Sequence, residues 1–423
     1  MYSPALLIPA KYFMTQIITL NPAQEKSLLR SLSGIQFSHI LDVMIIMPLA
    51  PMLMRTFDLT AVQFGLLISS YTFMGAISSI VAAMVIDRFD RRRVVLVFFA
   101  AFIVATVLCA IAPNYHLLLF ARGLSGIFGG VLGSLVHVYI ADCFPYEHRG
   151  RATGKITAAF SVATVLGVPF SLLLVNHTPI GWRAPFIVVA LVATVFWWIA
   201  YKAIPSIPTR ITDHRWSRTL VPMKQVLSNA NHWRAFAYMF LMMMGGFTVI
   251  PYITLYSTLN LNFPETLLPI LYLSGGAFTF FTSQWIGRLA DKHGKARVFR
   301  IVAVIAMLPI LAMTNVTNIP WWLVLCITTP FFIFVSGRFV PGMAIITSAS
   351  VPHLRGTFMG LNSAVQSIGT SVATLVAGFI ITINAQGMLE HYNIVGYIAC
   401  IAILSTLWLV GYVKVAHGSK VVQ

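Results

Sequence analysis

The sequence is poor in charged residues and in cysteine. Only 9% of its 423 residues are charged, whereas 58% are hydrophobic. A soluble domain has no interior large enough to bury so much apolar surface, so this balance indicates a chain that spans a lipid bilayer. The four cysteines, Cys109, Cys143, Cys326 and Cys400, show no paired spacing, so neither a disulfide framework nor a zinc site is indicated.

Further absences narrow the function. The N-terminus lacks the pattern of a cleavable signal peptide, and residues 1–30 look like a polar, partly helical tail. The chain has no glycine-rich phosphate-binding loop, so we do not expect it to hydrolyse ATP by itself. We expect no cofactor and no metal ion.

Long, continuous apolar runs occupy most of the chain. A transmembrane helix needs about 20 apolar residues, and these runs do not alternate as the strands of a membrane barrel do. We therefore predict an all-α polytopic membrane protein with about twelve transmembrane helices. The predicted spans are 33–54, 63–86, 94–113, 117–141, 153–175, 184–204, 235–258, 266–288, 299–317, 321–349, 357–383 and 392–414.

Basic residues lie on one side of the predicted spans. The net charge is +17, and a nucleic-acid partner could explain it, but the distribution argues against that reading. Every Lys and Arg lies in the even-numbered connections, in the termini or at the span ends that adjoin them, except Arg55, Arg183, Arg122 and Arg338. Because this asymmetry follows the positive-inside rule, we expect both termini in the cytoplasm and the bilayer, not nucleic acid, as the partner. We expect a monomer.

The second half of the chain repeats landmarks of the first. The segment "AMVIDRFDRRR" from Ala83 returns as "GRLADKHGKAR" from Gly287, and Pro48 returns as Pro251, a shift of 203 residues. Six spans bring the chain back to its starting side, so the halves are parallel copies. The predicted organisation is a cytoplasmic tail at 1–32, a six-helix half at 33–204, a cytoplasmic linker at 205–233, a second half at 234–415 and a tail at 416–423.

The repeated segment resembles a loop signature of the major facilitator superfamily, Gly-x-x-x-Asp-Arg/Lys-x-Gly-Arg/Lys-Arg/Lys. The second copy matches through Lys295, whereas the first has Ala83 and Asp90 where glycines are usual. The resemblance implies two parallel six-helix halves over about the whole chain. It also implies a cytoplasmic gate that latches the outward-open state; the alternative is that these charges only fix topology. The matching residues are Asp87, Arg88, Arg91, Asp142, Arg149, Asp291, Lys292 and Arg355.

Once the charges of the connections and of the span ends beside them are set aside, three charged residues remain inside the predicted spans: Asp42, Arg122 and Arg338. A charge at the centre of a membrane helix costs about 2.5–3.5 kcal/mol on insertion scales, so each is a functional candidate. His39 shares a helix face with Asp42, and a buried acid beside an imidazole suits proton coupling. The alternative for His39 is a place near the cytoplasmic interface.

Arg122 opens "RGLSGIFGGVLGS", which resembles the superfamily's span-four signature, an arginine followed by Gly126 and Gly130. The resemblance implies that Arg122 influences the protonation of an acid in the first span, here Asp42. The span limits, however, place the two residues roughly 10 Å or more apart along the membrane normal. The glycines also allow close helix packing. "GLSG" fits an intramembrane hydrolase with Ser125 as nucleophile, a remote alternative.

Polar residues in the second half are the candidate substrate contacts, because transporter sites lie near the midplane between the repeats. Arg338 has no obvious acidic partner and suits an anionic or hydrogen-bonding solute; alternatively it bonds backbone carbonyls freed by Pro341. The other candidates are Tyr252, Tyr256, Gln284, Asn362 and Gln366.

Span five contains "GVP" from Gly167, which resembles the arabinose- and drug-efflux branch of the superfamily. The resulting hypothesis is a proton-coupled exporter of a small organic solute, a sugar or a drug-like molecule, in a bacterial inner membrane. We expect no enzymatic activity of this protein. The alternative is uptake of a small organic anion by symport or facilitated diffusion, with Arg338 as the motivating residue.

Overall fold

The computed structural model describes residues 21–85, 89–144, 155–156, 159, 162–206, 217–351 and 354–416. In this part of the chain ten helices are long and apolar enough to cross a membrane, and α1 (Pro22–Ile45) with α2 (Ala50–Phe57) forms a further crossing bent by 59°. The remaining predicted span, 153–175, lies partly outside the described residues. The predicted all-α polytopic fold is confirmed.

Five further helices follow α2 in the first half. The side chains of Asp90 and Asn114 accept backbone hydrogen bonds from the first turns of α4 and α5, which fixes where these helices begin. Helix α5 packs against α3 and α4, and α7 packs against α1 and α4. The bounds are α3 (Ala61–Val85), α4 (Arg91–Ile111), α5 (Tyr115–Cys143), α6 (Val168–His177, after a π-helical turn at Ala163–Gly167) and α7 (Arg183–Ala203).

The second half follows α8 (Ser217–Leu227), which belongs to the predicted linker. Its helices are α9 (Ala230–Phe247), α10 (Ile253–Leu259), α11 (Leu268–His293), α12 (Lys295–Asn315), α13 (Trp321–Gly337), α14 (Phe339–Ser348), α15 (Arg355–Ile380) and α16 (Tyr392–Leu409). A short antiparallel ladder of β1 (Thr382–Ile383) and β2 (Leu389–Glu390) connects α15 to α16. Helix α9 packs against α15 and α16, and α13 against α11 and α12.

Proline interrupts the first membrane crossing of each half. Helix α1 begins at Pro22 and ends at Ile45, and a turn containing Pro48 precedes α2. The structure therefore divides the predicted span at 33–54 between two helices, the first of which begins earlier, at Pro22. Proline has no N–H and its ring clashes with the preceding turn, so the helix breaks there. Pro251 lies in the equivalent break between α9 and α10, in agreement with the sequence repeat.

The two ends of the helix bundle differ in how the halves meet. We call the end where α1 and α9 begin the linker face and the opposite end the far face. The side chain of Asn231 bonds the backbone of Lys414 at the linker face, so the beginning of the second half and its end lie together. Since each crossing reverses the chain direction, α3 and α11 begin at the far face.

The halves are joined towards the far face. Helices α3 and α15 supply the main contact between them, with the hydroxyl oxygens of Thr72 and Ser371 2.6 Å apart. The Tyr252 hydroxyl donates to the Ala61 carbonyl at 3.1 Å. An ion pair of 2.7 Å between Arg55 and Glu265 adds a link at the edge of this interface.

The halves diverge towards the linker face. Gly360 lies about three helical turns before Ser371 on α15, so the two residues share a helix face. Gly360 is nevertheless exposed, and a Cβ placed on it would meet no atom of the described residues within 4 Å. The α15 face that contacts α3 near the far face is therefore uncovered near the linker face.

Candidate functional site

An ion pair lies enclosed in the first half. Nη1 of Arg122 on α5 donates to Oδ2 of Asp42 on α1 at 2.9 Å, and both side chains are 0% exposed. The same nitrogen also donates to the Asp42 carbonyl oxygen at 3.1 Å. Among the described residues, Oδ1 of Asp42 and both Nε and Nη2 of Arg122 have no hydrogen-bond partner. The pair is thus under-coordinated, and its charges are held away from solvent.

The expected separation of Asp42 and Arg122 along the membrane normal is wrong. Helix α1 begins at Pro22, well before the predicted start of the first span, so Asp42 lies near the far end of a 24-residue helix. Arg122 lies two turns into α5, which begins at the far face with Tyr115. Both residues therefore reach the same depth, and the pair indicated by the superfamily resemblance forms.

Tyr71 on α3, which the sequence pattern does not single out, connects this pair to His39. The Tyr71 ring lies under the Arg122 guanidinium, with Cζ 4.5 Å from the ring centroid, a distance suited to a cation–π contact. Its hydroxyl oxygen lies 2.7 Å from Nδ1 of His39. Tyr71 is an unremarkable aromatic residue in an apolar run. The only indication of its role in the sequence is that the ring nitrogens of a half-buried His39 need a hydrogen-bond partner.

The glycines after Arg122 allow α3 and α5 to approach closely, as predicted from their spacing. A Cβ on Gly126 would collide with the backbone of Tyr71, and one on Gly130 would lie 2.7 Å from the Gly75 Cα. A Cβ on Gly129 would collide with the Tyr71 hydroxyl and lie 2.7 Å from Nδ1 of His39. These glycines therefore bring the Tyr71 side chain between His39 and Arg122.

Arg338 is also enclosed, between α9 and α16. It is 1% exposed; its Nε donates to the Val335 carbonyl at 3.3 Å and its Nη2 to the Met242 carbonyl at 3.2 Å. Its Nη1 has no partner among the described residues. The geometry matches the alternative of an arginine bonded to backbone carbonyls, although neither carbonyl is the one that Pro341 frees.

The sequence repeat relates the two arginine sites. The shift that maps Pro48 onto Pro251 maps Asp42 onto Gly245. A Cβ on Gly245 would lie 2.9 Å from Nη1 of Arg338, so this cation occupies the place where the first half has a carboxylate. The first half holds an ion pair at this position, and the second half holds an arginine against a glycine.

The other candidate substrate contacts are dispersed. Tyr252 and Tyr256 are buried; the Tyr252 hydroxyl bonds the Ala61 carbonyl and the Tyr256 hydroxyl bonds the Val316 carbonyl at 2.9 Å. In this conformation they hold helices together and do not line an open cavity. Gln284 is exposed and Gln366 half-buried. Asn362 is 1% exposed, and neither polar atom of its side chain has a partner among the described residues.

The candidate cytoplasmic gate is described only in part. Asp87, Arg88, Arg149 and the Asp142 side chain lie outside the described residues. Arg91 is buried at the start of α4, and Asp291 and Lys292 are exposed at the end of α11, on the linker face. Arg355 begins α15 and is half-buried. The gate stays a prediction.

Ser125, the nucleophile of the hydrolase alternative, is fully buried. Its hydroxyl oxygen lies 3.9 Å from the Cys109 sulfur. The described residues show no histidine in hydrogen-bond contact with it, so its hydrogen-bond partner there is a thiol and not a general base.

Comparison with known proteins identifies the family of this chain. The sequence model of the Major Facilitator Superfamily matches residues 32–374. "Multidrug resistance protein 2" of Bacillus subtilis (strain 168) is 22% identical over 82% of this chain and 87% of its own length. A "Probable sugar efflux transporter" of Helicobacter pylori (strain P12) is 24% identical over 84% of this chain and 87% of its own.

Solved structures share the fold. A crystal structure of a D-xylose-proton symporter superposes with a TM-score of 0.76 at 17% identity, over 93% of this chain and 98% of that one. A bacterial homolog of the human lysosomal transporter Spinster, in an inward-facing conformation, gives a TM-score of 0.69 at 15% identity, over 93% and 96%. The family and these relatives are transporters. The chain belongs to the major facilitator superfamily, as a multi-pass membrane protein with bacterial relatives.

Proposed function

We propose that this protein exports a small organic solute in exchange for protons, by alternating access between its two halves. The observation that carries the proposal is the enclosed pair of Asp42 and Arg122, 2.9 Å apart and 0% exposed. A proton arriving at Asp42 removes the charge that holds the Arg122 guanidinium. Protonation therefore changes the balance of charge inside the first half, which is what coupling a proton to a conformational change requires.

The orientation rests on the charge asymmetry. The linker face carries the basic connections, so the positive-inside rule assigns it to the cytoplasm, together with both termini. In this orientation the far face, where Arg55 meets Glu265, is closed to the outside. The gap near Gly360 then opens to the cytoplasm, so this conformation is the one that takes up solute for export. The bacterial relatives favour the inner membrane as its location.

The relatives favour a sugar or a drug-like solute, because those sharing most of its length include a multidrug resistance protein and a probable sugar efflux transporter. Asn362 is the best-supported substrate contact. Both polar atoms of its amide are buried without partners among the described residues, and a buried polar group without a partner costs about 1–3 kcal/mol. A hydrogen-bonding solute reaching α15 would satisfy that amide.

Arg338 supports a second candidate, uptake of a small organic anion. Its Nη1 is buried without a partner among the described residues, so a carboxylate reaching it would gain a charge-assisted hydrogen bond. Intact cells distinguish the two directions: an exporter depletes the labelled solute from the cell interior, and an importer accumulates it.

The proposal is tested in everted membrane vesicles with an acidic interior and a pH-sensitive dye. Sugars, organic acids and lipophilic cations are added in turn to vesicles with the wild-type protein, with Asp42→Asn, or with Asp58→Asn. Asp58 is exposed at the end of α2, so its variant controls for the loss of a carboxylate elsewhere.

We expect one solute class to release protons from wild-type and Asp58→Asn vesicles, and not from Asp42→Asn vesicles. Labelled solute that equilibrates without proton movement in the wild type would overturn proton coupling and leave a uniporter. Proton release that persists in Asp42→Asn would remove Asp42 from the coupling site.

A further inference from the structure

The enclosed carboxylate of Asp42 needs a route for protons, an inference that rests on the proposed function. Asp42 and Arg122 are 0% exposed in the conformation that is open at the linker face. A carboxylate that titrates must nevertheless exchange a proton with water on that side. Arg122 cannot carry it, because a guanidinium stays protonated in proteins. The route must use other side chains that contact the pair.

His39 is the accessible member of the cluster. It lies one turn before Asp42 on α1, about 4.5 Å nearer the linker face, and it is partly exposed where Asp42 is not. Its Nδ1 contacts the Tyr71 hydroxyl at 2.7 Å, and its Nε2 forms no hydrogen bond to the described residues. The imidazole therefore has one nitrogen bonded to Tyr71 and one, beside Gly133 on α5, that forms no hydrogen bond to the described residues.

Tyr71 extends this contact to the ion pair. The residue is 2% exposed, and its ring lies 4.5 Å below Cζ of Arg122. The described residues show no direct hydrogen bond between Tyr71 and Asp42, whose Oδ1 is left without a donor. The proton therefore crosses from Tyr71 to Asp42 by a movement of the side chains or through intervening water, and Oδ1 is the Asp42 oxygen that has no donor among the described residues.

We propose that His39 and Tyr71 form the path by which protons pass between the linker face and Asp42. A proton from water binds Nε2 of His39, and the imidazolium gives its Nδ1 proton to the Tyr71 hydroxyl oxygen. Tyr71 releases its own hydroxyl proton towards Oδ1 of Asp42. His39 and Tyr71 end neutral, with their hydrogen bond reversed, and Asp42 gains one proton. Release of the proton runs through the same steps backwards.

The chemistry of the His39–Tyr71 bond permits this reversal. A neutral imidazole with its proton on Nδ1 donates to the Tyr71 hydroxyl oxygen and leaves Nε2 free to take a proton from water, and the resulting imidazolium donates from both nitrogens. Once the Nδ1 proton has moved to Tyr71 and the original Tyr71 hydroxyl proton has left towards Asp42, the imidazole keeps its proton on Nε2 and accepts from the Tyr71 hydroxyl at Nδ1, which is the reversed bond. Among the described residues, the ionisable groups around the path are Asp42 on α1, Tyr71 on α3, Cys109 on α4 and Arg122 on α5.

Gly129 provides the space for the path, since a Cβ there would collide with the Tyr71 hydroxyl. Gly123 on the same helix offers a matched control, because a Cβ on it would meet only Met74, at an ordinary 3.8 Å. Gly129→Ala should therefore separate His39 from Tyr71, whereas Gly123→Ala should leave their contact intact.

The test uses the full-length protein in lipid vesicles and the proton itself as the probe. After a pH jump, infrared spectroscopy follows the carbonyl band of the protonated carboxyl that is absent in Asp42→Asn. Tyr71→Phe keeps the ring under Arg122 and removes the hydroxyl, and His39→Gln keeps a polar side chain that cannot titrate. Because a positioned proton carrier contributes about 10²–10⁴-fold to a rate, we expect both variants and Gly129→Ala to slow protonation at least about 10-fold. The final amplitude of the band in these variants should match that of the wild type. The protonation rate in Gly123→Ala should also match the wild-type rate.

The outcomes separate the path from the proposed function. A wild-type protonation rate in Tyr71→Phe or in His39→Gln overturns the path while Asp42 still titrates. A reduced final amplitude in Tyr71→Phe, at an unchanged rate, also overturns it, because that result assigns Tyr71 to the stability of the charge. If no titrating band in the wild type disappears in Asp42→Asn, the proposed function fails first and the path with it.

Discussion

The enclosed ion pair makes a quantitative prediction about stability. Asp42 and Arg122 are both 0% exposed and 2.9 Å apart, and removing one partner of such a pair typically costs about 3–5 kcal/mol. The two single losses should differ, since a carboxyl group left alone can bind a proton and become neutral, whereas a guanidinium cannot. We expect Asp42→Asn to lose about 3–5 kcal/mol of unfolding free energy and Arg122→Met about 1–3 kcal/mol.

The double variant Asp42→Asn/Arg122→Met should recover much of this loss, because neither charge remains and the methionine thioether can contact the Tyr71 ring. The measurement is the free energy of unfolding in detergent micelles, from an SDS titration followed by tryptophan fluorescence, with Asp58→Asn as the control. A coupling energy of at least about 2 kcal/mol is expected for such neighbours. Single effects that add to within about 0.5 kcal/mol in the double variant would refute the reasoning.

Two further predictions concern the closed far face, each measured by the distance distribution between spin labels at Thr56 and Thr266 in a Cys326→Ala background. Tyr252→Phe removes a buried hydrogen bond between the halves, worth about 0.5–1.5 kcal/mol, so the population open at the far face should rise about 2- to 10-fold. Tyr256→Phe, whose hydroxyl bonds a carbonyl within the second half, should leave it unchanged; an equal effect of both variants would contradict this account. Glu265→Gln breaks an ion pair whose side chains are 62% and 37% exposed. We therefore expect the free energy of opening at the far face to change by at most about 1 kcal/mol, and we expect this change to disappear at high salt. A change that does not depend on salt would contradict the assignment of an exposed ion pair.

The sequence alone determined the architecture, because membrane insertion depends on local properties of the chain. Long apolar runs, the distribution of Lys and Arg and the return of Pro48 as Pro251 are all linear patterns. They predicted the helical polytopic fold and its two halves. The sequence also selected Asp42, His39 and Arg122, because a charged or titratable group inside an apolar run is conspicuous wherever it points.

Only the tertiary structure decided which of those groups meet. The depth of Asp42 depended on the start of α1 at Pro22, eleven residues before the predicted span, and helix ends are set by caps and packing that an apolar window does not resolve. Tyr71 could not be singled out, because its role comes from three helices brought together by Gly126 and Gly129. In the same way, the hydroxyls of Tyr252 and Tyr256 looked suited to a solute until packing paired them with carbonyls distant in sequence. Helix propensity and hydropathy are properties of single segments, whereas a contact between segments is fixed only when all of them pack at once.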